Sequence, residues 1–271
     1  MSGERRIRAR AREVVDDLDP PAHFRVLPRR IALVAVDRDA VTKTRRTHYK
    51  YGFDPFLGDV CKLADDERCD TIVYSLWSHD ERHMGRLDER RLFGATTGVK
   101  TIFLETAGAN GEFRVEVWRK GSSTPHRFAQ RLRTSTEGVE EKRALMNGLP
   151  SRIFGSTLFL VCGEANIVST QRNSSALTDP FGFMKWLATA DPKLILNPTH
   201  DYMRRPEMKR KRAVYSRGGR TVLSVWNRGY KPPEASKPWQ AFVDGKEVTD
   251  RDREAPFPRT TEIRVGVVDV G

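Results

Sequence analysis

A chain of 271 residues with 38% hydrophobic content can bury one large core or two small ones, and we expect one. The net charge of +12 favours anionic partners, nucleic acid among them. No stretch approaches the roughly 20 apolar residues that span a bilayer, so no membrane association is predicted. Three cysteines without a Cys-x-x-Cys pair fit a reducing compartment, which predicts a cytoplasmic location.

Short β-branched and apolar runs alternate with longer polar or helical segments, which is typical of an α/β protein. Residues 1–29 are predicted to be a basic N-terminal extension, and residues 30–271 a single domain. The predicted strands are residues 30–36, 71–75, 101–105, 113–119, 157–162, 193–197, 221–226, 240–243 and 262–269. Nine strands form either one large sheet or two.

Three helices are predicted between these strands. The first follows Asp54 and Pro55, which can cap it and take its first position, and it ends near residue 66. A second follows Asp179 and runs to residue 190, and a third covers residues 207–216 before a pair of glycines. These helices connect successive strands and so predict βαβ crossovers.

Cys162 is the first candidate for chemistry. It follows the apolar run 158–161 and precedes Gly163 and Glu164, so the chain carries a thiol out of a buried strand into a polar turn. A reactive cysteine needs a partly exposed and charge-rich setting, whereas a structural one packs as a small apolar residue. The pattern alone leaves both interpretations open.

Several segments, in order, resemble the nitrilase or carbon-nitrogen hydrolase superfamily. Val117-Trp118-Arg119-Lys120 is similar to the lysine motif of that family, and Leu160-Val161-Cys162-Gly163-Glu164 is similar to its cysteine elbow. The later segments 194–200, 212–215, 221–227 and 243–245 are similar to the strands, helix and hairpin that follow. The resemblance implies an α-β-β-α sandwich of two mixed sheets with outer helices, and homo-oligomers.

One element of the family pattern is missing. The family has Pro-Glu after the second strand, where this chain has Leu76. Glu105 is the candidate replacement, because strand ends in open α/β sheets converge on the ligand crevice; His79 and Glu81 are further candidates. The predicted catalytic residues are therefore Cys162 as nucleophile, Glu105 as base and Lys120 as the cation that stabilises the oxyanion.

Four further residues are predicted to contact a substrate. Glu164 follows the cysteine and can hold a substrate amine or cap the next segment, and Glu137 lies where the family often has an additional glutamate. His200 follows the predicted strand 193–197, and Trp77 follows the second strand. Neither a metal nor a cofactor is expected.

The sequence predicts a thiol-dependent hydrolase of a small amide, nitrile or N-acyl substrate, and the basic charge favours an anionic one. A catalytically degenerate nitrilase-like binding or regulatory protein remains an alternative. A metal-dependent nuclease would suit the charge, but its acid and lysine need to be two residues apart on a strand. Glu116 and Lys120 are four apart, about 13 Å in an extended chain.

Overall fold

The computed structural model describes residues 28–36, 56–108, 112–132, 138–170, 177–200, 205–227, 236–259 and 263–270. Within these ranges two large sheets pack face to face between outer helices. This arrangement confirms the predicted α-β-β-α sandwich. In the same ranges, no helix is both long and apolar enough to span a membrane.

The first sheet has eight strands, of which three central ones are parallel. Its order is β15 (Arg253–Ala255), β16 (Ile263–Asp269), β1 (Arg30–Val36), β2 (Thr71–Tyr74), β4 (Thr101–Ala107), β5 (Phe113–Arg119) and β6 (His126–Phe128), with the short β3 (His79–Asp80) also paired to β4. The parallel strands are β1, β2 and β4, so their carboxyl ends lie at one edge of the sheet.

The second sheet has six strands and again a parallel centre. Its order is β14 (Lys246–Glu247), β13 (Trp239–Val243), β12 (Thr221–Trp226), β11 (Leu194–Thr199), β8 (Thr157–Phe159) and β7 (Ile153–Phe154). The parallel strands are β8, β11 and β12. A separate ribbon pairs β9 (Ser169–Thr170) with β10 (Leu177–Thr178). All nine predicted strands are confirmed, divided between the two sheets.

Six α-helices occur in the described ranges: α1 (Leu57–Asp66), α2 (Glu81–Met84), α3 (Glu89–Phe93), α4 (Val139–Gly148), α5 (Phe183–Ala190) and α6 (Pro206–Tyr215). Helices α1 and α3 bury their apolar residues on the outer face of the first sheet, and α5 and α6 on that of the second. The second of the predicted helices begins at Phe183, four residues after Asp179, with Gly182 at its N-cap; the Asp179 carboxylate still accepts hydrogen bonds from the backbone N–H groups of Phe183 and Met184. Asp54 and Pro55 lie outside the described residues.

The main core lies between the sheets and follows from the alternation of side chains along each strand. In β1, Ile31 and Leu33 face the second sheet, whereas Ala32 and Val34 face the outer helices. Across the interface, the Phe103 ring of β4 stacks on the Phe159 ring of β8 with 4.9 Å between centroids. The face of β4 that carries Phe103 therefore points at the second sheet.

Candidate active site

The carboxyl ends of the parallel strands of both sheets meet at one edge of the sandwich. The Leu76 N–H, just after β2, donates to the Thr199 carbonyl at the end of β11 (3.3 Å). Asn227, just after β12, accepts from Ser75 Oγ (2.6 Å) and donates to the Leu76 carbonyl (2.7 Å). These bonds join the ends of three strands, so residues that follow different strands can share one crevice.

Cys162 lies at this edge, at the first residue of the 3₁₀ helix Cys162–Ile167 that follows β8. Its φ of +44° is in the left-handed region, which non-glycine residues rarely occupy. A strained turn between a strand and a helix is one way in which a fold exposes a nucleophile. The Cys162 residue is 8% exposed, whereas Cys61 and Cys69 have no exposed surface.

The other two thiols lie in the outer layer of the first sheet. Burial raises the pKa of Cys61 to about 12, and burial likewise raises the pKa of Cys69 to about 12. Both thiols are therefore protonated and shielded at neutral pH. Of the three cysteines, Cys162 is the one with exposed surface, and it lies at the edge where the strand ends meet.

Glu105 reaches the same edge from the first sheet. It stands two residues after Phe103 on β4, so it shares the face that points at the second sheet. Its buried carboxylate accepts a hydrogen bond from the Trp77 backbone N–H (2.8 Å) and lies 3.1 Å from His200 Nε2. Glu105 was predicted to end its strand, but β4 continues to Ala107.

His200 connects the carboxylate with the thiol. It follows β11 directly, and its Nε2 lies 3.1 Å from the Glu105 carboxylate, while the Cys162 side chain also interacts with the imidazole. Burial lowers the pKa of His200, but the charge of Glu105 and the contact with Cys162 outweigh it and raise this pKa from 6.5 to about 10. The structure therefore brings together three predicted site residues, Cys162, His200 and Glu105.

Trp77, the fourth predicted residue at this site, packs against His200. Its ring centroid lies 4.5 Å from that of His200, with the planes tilted by 42°. Its φ is +61°, so it is a second non-glycine residue with left-handed backbone at the site. The hydrogen bond from its N–H to Glu105 connects this turn to the carboxylate.

Glu164 is placed differently from its prediction as a substrate contact. It has no exposed surface, and its carboxylate accepts hydrogen bonds from the backbone N–H groups of Arg131 and Val161 and from the Arg152 guanidinium. These three hydrogen bonds hold the Glu164 carboxylate inside the protein. Glu164 therefore anchors the turn that carries Cys162, which corresponds to the capping alternative.

The structure does not bring Lys120, predicted to stabilise the oxyanion, to this edge. Strand β5 runs antiparallel to β4, so the residue after β5 lies at the amino end of β4. The Lys120 N–H donates to the Lys100 carbonyl (2.9 Å), and its ammonium donates to the Thr96 carbonyl. Glu105 is five residues beyond Lys100 along β4, a distance of about 16 Å. Lys120 and the site lie at opposite edges of the sheet.

Three further candidates remain, namely Glu137, His79 and Glu81. Glu137 lies outside the described residues. His79 Nε2 bonds the Gly85 carbonyl (2.9 Å), and Glu81 pairs with Arg114 (2.6 Å).

Glu116, the acid considered for a nuclease, has its carboxylate bound by Arg114, Arg127 and the Trp118 indole. Among the residues that the structure describes, no group of three or more His, Cys, Asp and Glu side chains is suited to a metal. The described residues thus provide no observation in favour of a nuclease.

Two features of the site were not predicted from the sequence. Arg152, the buried partner of Glu164, lies in a short 3₁₀ turn before β7, and nothing in its local pattern indicates burial. The contact between His200 and Glu105 joins residues 95 positions apart. The sequence does contain a signal for this contact. Phe103 and Glu105 are two residues apart and so share one face of their strand, and His200 follows a parallel strand whose end lies at the same edge.

The chain matches no family model and no curated protein. It is similar to the solved structure of a mutant of the amidase from Nesterenkonia sp. AN1, at 14% identity and a TM-score of 0.44, over 93% of each chain. It is also similar to a glutamine-dependent NAD(+) synthetase from Cytophaga hutchinsonii, at 12% identity and a TM-score of 0.48, over 90% of this chain and 43% of the other. At such low identity, the function of this chain has to be inferred from its own site.

Proposed function

We propose that this protein is a thiol-dependent carbon-nitrogen hydrolase, with Cys162 as the nucleophile and a small amide, nitrile or N-acyl compound as the substrate. One observation carries this proposal: His200 lies 3.1 Å from Glu105 and also interacts with Cys162, at the edge where the strand ends converge. A thiol, an imidazole and a carboxylate in this order form a set that can activate a nucleophile.

The chemistry follows from the weakness of a free thiol. With an ordinary pKa near 8.5, only a few per cent of a cysteine is thiolate at pH 7, so a proton acceptor in contact with it accelerates attack on the substrate carbon. With an amide or N-acyl substrate, sulfur forms a bond to that carbon, the carbon-nitrogen bond breaks, and the amine leaves with a proton. Water then releases the acyl group from the thioester and restores the thiol.

A binding or regulatory protein that has lost turnover is the second candidate. It is favoured by Leu76 at the position of the expected glutamate and by Lys120 at the opposite edge of the sheet. Such a protein would bind a ligand at the same site without hydrolysing it. Turnover therefore distinguishes the two functions.

The reactivity of the three cysteines is the first test of the proposal. Native protein is treated with limiting iodoacetamide at pH 7, and the alkylated peptides are quantified by mass spectrometry. We expect Cys162 to react at least 100-fold faster than Cys61 and Cys69, because burial keeps those two thiols protonated and shielded. Equal reactivity of all three would contradict the assignment of Cys162 as nucleophile.

Turnover is tested with a panel of small amides, nitriles and N-acyl amino acids, with ammonia or amine release as the readout. The wild type should hydrolyse at least one compound, and C162A should hydrolyse none. C61A, which removes a buried thiol outside the site, is the matched control and should remain active. Because the net charge of +12 favours anionic compounds, carboxylate-bearing members of the panel are expected to be the better substrates. Binding without turnover in the wild type would instead support the second candidate.

A further inference from the structure

We infer that His200 is the catalytic acid and base of this site, and that Glu105 is a positioning residue that holds the imidazole against Cys162. This inference deepens the proposed function and rests on it. It replaces the expectation that Glu105 itself takes the proton of the thiol.

The contacts of the three side chains carry the inference. Within the described residues, the Glu105 carboxylate bonds the Trp77 N–H (2.8 Å) and His200 Nε2 (3.1 Å). The His200 imidazole interacts with the side chains of both Glu105 and Cys162. It can therefore exchange a proton with the sulfur while the carboxylate holds it in place. The Trp77 ring lies against the imidazole and limits its rotation.

The charges around His200 favour its protonated form. In the described part of the chain, the titratable groups that face it are Glu105 from β4 and Cys162 from the 3₁₀ helix, and each is negative when ionised. They raise the pKa of His200 from 6.5 to about 10 in spite of its burial. At neutral pH the ring is then an imidazolium, and a cation beside a thiol favours the thiolate.

Cys162 and His200 can supply and accept every proton that the reaction requires. The Cys162 thiolate attacks the carbonyl carbon of an amide or N-acyl substrate, and the π electron pair of the carbonyl moves to its oxygen as the carbon-sulfur bond forms. The His200 imidazolium gives its proton to the departing nitrogen as the carbon-nitrogen bond breaks. The neutral imidazole then takes a proton from water, whose oxygen attacks the thioester carbon. The carbon-sulfur bond breaks, and the thiolate and the imidazolium are restored. Glu105 remains a carboxylate throughout.

The test is the pH dependence of Cys162 alkylation by iodoacetamide, because this readout needs no substrate. The wild type should keep most of its plateau rate at pH 6. In H200Q the rate should follow an ordinary thiol with an inflection near pH 8.5, and at pH 6 it should lie two to three orders of magnitude below its own plateau. H126Q is the matched control. His126 is buried in the core, where it bonds the Ser151 carbonyl, and its replacement should leave the profile at low pH.

Two outcomes would overturn the inference. One is a wild-type inflection near pH 8.5, which needs no variant and so holds even if H200Q folds poorly. The other is an H200Q profile equal to that of the wild type, with circular dichroism confirming that the variant is folded. The proposed function is tested separately by amide turnover. A low-pH alkylation profile in a protein that hydrolyses nothing refutes the hydrolase, whereas turnover in H200Q with the wild-type pH profile refutes only the role of His200.

Discussion

The charge of Glu105 should control the protonation of His200. Glu105→Gln removes a negative charge 3.1 Å from His200 Nε2 but keeps an oxygen that can accept the Trp77 N–H. Two unit charges about 3 Å apart at an effective dielectric constant of about 20 interact by about 5 kcal/mol, and each pKa unit corresponds to about 1.4 kcal/mol. The pKa of His200 should therefore fall from about 10, a value that already includes the effect of burial, to about its ordinary value of 6.5.

This change can be measured by NMR titration of protein with labelled histidine rings. The His200 signals are assigned by their loss in H200Q, and Glu105→Asp serves as the control that keeps the charge. In the wild type the ring should stay protonated through pH 8, in Glu105→Gln it should titrate near or below pH 6.5, and Glu105→Asp should fall between the two. A wild-type pKa near 6.5, or an unchanged pKa in Glu105→Gln, would show that this carboxylate does not set the charge of the imidazole.

Three further predictions concern stability, measured by urea unfolding. A histidine whose pKa is raised on folding adds stability that is complete below pH 6.5 and is lost as the pH rises toward 10. The raised pKa values of Cys61 and Cys69 also reduce stability above about pH 9, but equally in both proteins. Between pH 7 and 10 the wild type should therefore lose a few kcal/mol more of its free energy of unfolding than Glu105→Gln. A methyl group added at Gly266 would lie 2.5 Å from Trp239 Cε2, whereas one added at Gly58 in α1 meets nothing within 4 Å. G266A should therefore lower the free energy of unfolding by about 1–3 kcal/mol, and G58A should raise it by about 0.5–1 kcal/mol. Equal effects of the two substitutions would contradict the close contact between the sheets. Glu164→Gln leaves the buried Arg152 guanidinium without its carboxylate and should lower the free energy of unfolding by about 3–5 kcal/mol. Replacing both residues, as in E164L/R152M, should recover most of this loss. No recovery would mean that Glu164 stabilises the turn mainly through its backbone partners.

The long strands could be predicted from the sequence because central strands buried on both faces appear as continuous apolar runs. Strand β1 has this pattern, and its predicted and observed bounds coincide. The short strands, such as β3 and β7, have only two residues each, too few for any periodicity to show. Their pairing depends on neighbours that are distant in the sequence.

The position of a site residue could be predicted when it depended only on following a strand. It could not be predicted when it also depended on the direction in which that strand runs. Cys162 and His200 follow parallel strands, and both lie at the shared edge. Lys120 also follows a strand, but β5 runs antiparallel to β4, which places its end at the other edge. Glu164 looked accessible because it follows the cysteine in a polar turn, and its burial depends on Arg152, which tertiary packing supplies.

The position of Glu105 explains how a carboxylate can serve this edge although residue 76 is a leucine. Strands β2 and β4 are parallel neighbours, with Val73 opposite Phe103. Continuing this register by two residues brings Glu105 beside the end of β2, where its carboxylate accepts the N–H of Trp77, the residue after Leu76. The carboxylate thus reaches the crevice from the adjacent strand, and it meets His200 rather than the thiol. A carboxylate that arrives from this direction needs an intermediary for the proton, and the residue that follows β11 provides one.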